Sequence, residues 1–116
     1  MRIATWNIER LKHITDLVLI NSTIAGVKAD ILVLTETDNR VAPANYKYCI
    51  QTPKLIEIQP DQYLESENRI TIYTNYEIIR QLETVDRYNS LFVEELYESV
   101  FTELENKKRK IVMHVQ

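Results

Sequence analysis

The sequence is poor in glycine and cysteine, and each shortage excludes a class of protein. Gly26 is the only glycine in 116 residues, where an average usage of about 7% would give about eight. Phosphate-binding loops rich in glycine are therefore excluded. Cys49 is the only cysteine, so no disulfide can form within the chain, which suits a reducing compartment.

Long hydrophobic runs are also missing. The longest apolar runs are about four residues, whereas a helix that spans a membrane needs about 20. The opening MRIATWNIER carries charge where a signal peptide has its apolar core. We therefore expect a cytoplasmic protein without membrane contact. With 45% hydrophobic and 27% charged residues, the composition is typical of one globular domain over residues 1–116.

The charge balance argues against a surface that coats nucleic acid. The net charge is −3, although a local basic patch or a bound metal ion can still attract phosphate. Lys and Arg number 7 against 6 Asp and Glu in residues 1–60, and 7 against 11 in residues 61–116. The acidity is therefore concentrated in the second half.

The first 38 residues have the pattern of a βαβ unit. RIATWNI predicts a strand over residues 2–8, and apolar residues at helical spacing predict a helix from Ile14 to Val27. ADILVL at residues 29–34 is a continuous apolar run, as in a strand that is buried on both faces. Such a unit makes the two strands parallel, so that both end at the same edge of the sheet.

The remainder is less regular. Residues 40–67 contain all three prolines and predict a long, partly ordered excursion, after which residues 68–79 have strand composition with a turn at TNYE. Apolar residues at steps of three and four favour a helix over residues 91–110, with a strand as the alternative. KIVMHV predicts a closing strand, and KKRK at residues 107–110 is interpreted as a solvated turn between the two.

Asn7 and Glu36 are the candidate site residues. Each lies at the carboxyl end of a predicted strand, and ligands of open α/β sheets bind at that edge. Mg²⁺ prefers oxygen ligands, often one or two carboxylates together with water and substrate phosphate. Glu36 would supply a metal ligand, and the Asn7 amide would bind the same metal ion or orient its phosphate. The alternative is that both are polar residues at the point where two strands leave the core.

These segments also carry a family resemblance. RIATWNIERL followed by ADILVLTETD, with ENRITIYTNYEI at residues 67–78, resembles the endonuclease/exonuclease/phosphatase superfamily over about residues 1–90. The resemblance implies an α/β fold, namely a mixed sheet with a βαβ start that corresponds to the first half of a four-layer αββα sandwich. It also implies a hydrolase of phosphodiesters that uses Mg²⁺, or Mn²⁺ in its place. Asn7 and Glu36 match the asparagine and the metal-binding glutamate of that family.

Later motifs of the family do not occur in this sequence. There is no Asp-x-Asn pair of the GDFN type and no SDH, and His114 has no following Asp, so we do not assign it as general base. The resemblance therefore predicts a single truncated domain that is weakly active or inactive alone. The substrate would be a phosphodiester, with nucleic acid among the candidates, and a complementary half could complete the site.

Two further interpretations remain open. The chain could be a non-catalytic module of the same origin that forms a homo-oligomer or binds a protein partner through an apolar sheet face. Tyr46, Tyr48 and Tyr63 could stack on bases, although packing of the long loop is the commoner role for such residues. His13 and His114 are too isolated for a zinc site.

Overall fold

A mixed four-stranded sheet organises the first two thirds of the chain. The computed structural model describes residues 1–9, 17–101 and 106–116. The sheet contains β1 (Ile3–Asn7), β2 (Ile31–Asp38), β3 (Tyr48–Gln51) and β4 (Glu67–Thr74) in the order β1-β2-β4-β3. β1 and β2 are parallel, whereas β4 is antiparallel to both β2 and β3. The predicted βαβ start and mixed sheet are therefore confirmed.

Helix α1 (Leu17–Val27) connects the two parallel strands and covers one face of this sheet. Ile20 and Ile24 on the helix pack in one cluster with Leu32 and Leu34 on β2. The helix carries Gly26, the single glycine. The predicted helix start at Ile14 lies outside the described residues.

A second sheet covers the other face. It is antiparallel, with strands β5 (Glu77–Leu82), β6 (Leu91–Phe101) and β7 (Asn106–Val115) in that order. A second hydrophobic cluster joins the two sheets, and its buried members are Ile31, Val33, Ile70, Ile72, Leu91, Val93 and Leu96. The described residues thus form three layers, which are a helix, a mixed sheet and an antiparallel sheet.

The predicted helix over residues 91–110 is wrong, because residues 91–101 form β6 and residues 106–110 belong to β7. Leu91 and Val93 point to the core at the two-residue spacing of a strand, and Leu96 follows after a step of three. The pairing of β6 with β7 shifts by one residue between Val93 and Leu96, as in a β-bulge. The bulge therefore produced the three-residue step that resembled helical spacing.

Two smaller predictions in the last third have different outcomes. The closing strand at KIVMHV is confirmed as part of β7. The interpretation of KKRK as a turn is wrong, since residues 107–110 lie within the same strand. In the proline-containing excursion, the structure adds the short strand β3 and a single 3-10 turn at Leu55–Glu57.

Candidate functional site

Asn7 and Glu36 lie at the same edge of the mixed sheet, as the parallel pairing requires. Asn7 is the last residue of β1 and pairs with Thr35, the residue before Glu36. Both residues line one cleft of about 270 Å³, which we call the edge cleft. The mixed sheet contributes Asn7, Thr35, Glu36, Arg69 and Ile70 to its lining. Asn89, from the β5–β6 connection, and Gln116 complete it.

The backbone of Glu36 is unusual for a strand. Its φ is 46°, in the left-handed region, which costs a residue other than glycine about 1–3 kcal/mol. No residue is inserted here, because the pairs Thr35–Ile70 and Thr37–Asn68 keep β2 and β4 in one register. Well-formed pairs on either side therefore hold Glu36 in an unfavourable conformation, as is common at ligand sites.

The amide of Asn7 is fixed by a local turn. Its Oδ1 accepts a hydrogen bond of 2.9 Å from the backbone N–H of Glu9, whose φ is also left-handed at 53°. The N–H of Ile8 donates to the Thr35 carbonyl at 3.1 Å and joins this turn to β2. The remaining amide group, Nδ2, is a donor. Asn7 is therefore better suited to orient an anionic oxygen than to bind a metal directly.

Arg69 brings a cation into the edge cleft. Its Nη2 donates to the Tyr63 hydroxyl at 3.0 Å, and the guanidinium carbon lies 5.7 Å from the centre of the Tyr63 ring. Sequence reasoning missed Arg69. The available signal was its place within the predicted strand at residues 68–79.

A buried polar network supports the backbone of Arg69. The Thr52 hydroxyl accepts hydrogen bonds from the backbone N–H groups of Arg69 at 3.2 Å and Ile70 at 3.0 Å. Asn68 is 3% exposed and donates through Nδ2 to the Ile70 carbonyl at 2.8 Å and to the Thr71 hydroxyl at 2.9 Å. Because buried polar groups are costly to leave unpaired, this network fixes β4 where it borders the cleft.

A second cluster anchors the chain directly after Glu36. The carboxylate of Asp38 is fully buried and accepts two hydrogen bonds from the Arg40 guanidinium, at 3.0 Å from Nε and 2.7 Å from Nη2. The Ser66 hydroxyl donates to the same carboxylate at 2.8 Å. Burial raises the pKa of Asp38, but the hydrogen bonds from Arg40 and Ser66 outweigh it and hold the pKa below its usual value.

The residues present would hold a divalent cation weakly. Within residues 1–9, 17–101 and 106–116, no group of three or more His, Cys, Asp or Glu is arranged to bind a metal. Glu36 is the single acidic side chain among the described residues of the edge cleft. One carboxylate with water and a substrate phosphate is a ligand set that Mg²⁺ accepts, and its affinity then depends on the substrate.

The other candidate residues have different surroundings. Tyr46 packs against the cluster under α1 and donates its hydroxyl hydrogen to the Ala29 carbonyl at 2.9 Å, which is a packing role. His114 on β7 is exposed and contacts Phe92, with ring centres 5.3 Å apart. Tyr48 is 37% exposed, and His13 lies outside the described residues.

A larger cleft of about 450 Å³ lies at the opposite edge of the mixed sheet. Its lining includes Asp30 and Asn75, which flank the paired strand ends Ile31 and Thr74. It is distant from Asn7 and Glu36 and contains the amino end of β2, where α/β sheets seldom bind ligands. The edge cleft is therefore the better candidate.

Comparison with known proteins adds no relative. No family model, curated protein or solved structure matches the chain. In the part of the chain that the structure describes, no helix has the length and apolar character needed to cross a membrane.

Proposed function

We propose that the edge cleft is a Mg²⁺-dependent phosphodiester hydrolase site of the endonuclease/exonuclease/phosphatase type, with low activity in this chain alone. The observation that carries the proposal is that Asn7 and Glu36 line one cleft at the carboxyl edge of parallel strands. The helix, mixed sheet and antiparallel sheet would correspond to three layers of the four-layer sandwich of that superfamily.

Glu36 and Asn7 would have separate roles in this function. The Glu36 carboxylate would hold Mg²⁺, or Mn²⁺ in its place, and the Asn7 Nδ2 group would donate a hydrogen bond to a phosphate oxygen. The metal ion, when bound, would neutralise phosphate charge and lower the pKa of a water molecule. The fixed Asn7 turn would position the phosphate without reorganisation, which is the usual source of such stabilisation.

The expected rate is low. Among the described side chains of the edge cleft, none is a histidine or a second Asp or Glu that could act as general base. A positioned general base contributes about 10²–10⁴-fold to such reactions. The chain is therefore proposed to bind phosphoesters with metal and to hydrolyse them slowly, unless another chain supplies the base.

A metal titration tests the proposal. We expect Mg²⁺ to bind with a millimolar or lower Kd and to support slow hydrolysis of bis-p-nitrophenyl phosphate. Both properties should be lost in Glu36→Gln, which keeps the side-chain volume. Glu77→Gln is the matched control, because Glu77 is an exposed strand carboxylate that begins β5 three residues after Thr74, at the opposite edge. Equal Mg²⁺ binding by wild type and Glu36→Gln would reject the proposal.

Association with another chain is a second candidate function, favoured by β1. This strand is at the edge of the mixed sheet among the described residues, and it exposes 52% of Ile3 and 37% of Trp6. Apolar edge strands tend to pair with other chains. Sedimentation velocity at several concentrations should show a dimer that Ile3→Lys disrupts, and a monomer at every concentration would contradict it.

A further inference from the structure

The edge cleft combines charges of opposite sign that do not neutralise each other. Glu36 and Arg69 both line it, and their strands place them across from each other, between the pairs Thr35–Ile70 and Thr37–Asn68. Within the described part of the chain, no ion pair joins Arg69 to Glu36 or to any other carboxylate. The carboxylate and the guanidinium therefore both retain capacity for a ligand.

The guanidinium of Arg69 is held in place but not saturated. A guanidinium has five N–H donors, and the Tyr63 hydroxyl accepts from Nη2 at 3.0 Å. Nε is buried and has no hydrogen-bond partner among the described residues. A planar group with fixed orientation and free donors matches the paired oxygens of a phosphate.

Resting on the proposed function, we propose that Arg69 is the anion-binding residue of the edge cleft and binds one phosphate group of a small phosphoester. The cleft volume of about 270 Å³ is near the lower limit of small-molecule sites. Arg69 is the single basic residue among its described lining, and the net charge of the chain is −3. A polynucleotide would need several cations along its backbone, so the charge favours a ligand with one phosphate.

Titration with inorganic phosphate in the absence of metal tests this role directly. In wild-type protein, the Arg69 Nε–H signal in a ¹H–¹⁵N spectrum should shift with phosphate concentration and saturate. The Arg87 signal is an internal control, because Arg87 also donates from Nη2 to a tyrosine hydroxyl, that of Tyr88 at 3.2 Å, but lies outside the cleft lining. A static Arg69 signal, or equal shifts at both arginines, would overturn the proposal without any variant.

Two matched variants provide the affinity comparison. Arg69→Gln should weaken phosphate binding by about tenfold or more, as expected when a charge-assisted hydrogen-bond donor is lost. Arg87→Gln should bind phosphate as the wild type does. Unchanged affinity in Arg69→Gln would reject the role of Arg69. The wild-type spectrum decides the question if Arg69→Gln does not fold.

Failure of this inference can be separated from failure of the proposed function. Glu36→Gln should bind phosphate more tightly than the wild type without metal, since it removes a negative charge that repels phosphate, and it should lose Mg²⁺ binding. Phosphate binding at Arg69 without any Mg²⁺-dependent hydrolysis would reject the enzyme and keep the anion site. Finally, oligothymidylates of increasing length should bind no more tightly than thymidine 5′-phosphate. Affinity that rises with length and falls steeply with salt would replace the small phosphoester with a polynucleotide.

Discussion

Glu36 and Arg69 lie across from each other on β2 and β4, yet they form no ion pair. Tyr63 holds the guanidinium by a hydrogen bond and a ring contact, and the left-handed backbone of Glu36 departs from the regular strand. The contacts with Tyr63 and the backbone conformation of Glu36 therefore keep the two charged groups of the edge cleft from pairing.

Glycine at position 36 should stabilise the protein and remove metal binding. Glycine adopts a positive φ at little cost, so Glu36→Gly should raise the free energy of unfolding by about 1 kcal/mol. Lys28→Gly is the control, since Lys28 also has a left-handed φ of 52° but lies at the other edge of the sheet. Urea denaturation should show stabilisation in both variants, with Mg²⁺ binding lost only in Glu36→Gly. A loss of stability in Glu36→Gly would show that φ at this position is not strained.

Loss of the Asp38 charge should destabilise the fold. Asp38 is fully buried, while 39% of the Arg40 side chain is exposed, so solvent screens part of the interaction. Asp38→Asn should therefore lower the free energy of unfolding by about 2 kcal/mol. The comparison is the exposed ion pair of Lys54 and Glu65, whose charged groups lie 3.4 Å apart. Glu65→Gln should change the free energy of unfolding by less than about 0.5 kcal/mol. Equal effects of the two substitutions in chemical denaturation would contradict this ranking.

The Asp38 carboxylate should also make the stability of the fold depend on pH. The folded pKa of Asp38 is lowered, so its charge stabilises the folded state fully above the unfolded pKa of about 3.9. That stabilisation is lost as the pH falls through the folded pKa. The stability difference between wild type and Asp38→Asn should be constant between about pH 5.5 and pH 7, a range that lies more than about one unit above the unfolded pKa. The difference should shrink in more acidic solution. A difference that grows towards acid would reverse the sign and reject the assignment.

Tyr73 should affect stability in alkaline solution. Burial, with a smaller contribution from Cys49, raises the pKa of Tyr73 to about 12. A raised pKa favours the neutral phenol in the folded state, so this stabilisation is present below the unfolded pKa of about 10 and is lost as the pH rises further. Tyr73→Phe should therefore be less sensitive to alkali than the wild type between those values. Absorbance at the phenolate band should show Tyr73 ionising after the exposed tyrosines.

Packing between the two sheets should depend on Leu96. This side chain is 1% exposed and belongs to the cluster that joins the sheets, so Leu96→Ala should cost about 2–5 kcal/mol. Val112 on the neighbouring strand is 56% exposed, and Val112→Ala should cost less than about 0.5 kcal/mol. Thermal unfolding of the two variants measures both. A small effect at Leu96 would contradict the inward position that the β6 bulge creates.

Sequence patterns predicted the βαβ unit and the common edge of Asn7 and Glu36, because parallel pairing follows from chain connectivity alone. They did not predict β6 and the start of β7, since one inserted residue changes a two-residue repeat into a step of three between Val93 and Leu96. Arg69 was missed for a different reason. Its role depends on Tyr63 and Thr52, which lie 6 and 17 residues away in the chain, and such contacts leave no local pattern.

The left-handed backbone at Glu9 and Glu36 connects ligand binding to the integrity of the whole molecule. Neither residue is glycine, so local preference alone would not produce these conformations, and peptides that contain either strand end by itself should not reproduce the edge cleft. A ligand of the cleft would select the intact fold and raise its melting temperature, with an effect that grows as the logarithm of the ligand concentration above its Kd. Thermal shift in the presence of candidate compounds is therefore a direct way to search for the natural ligand.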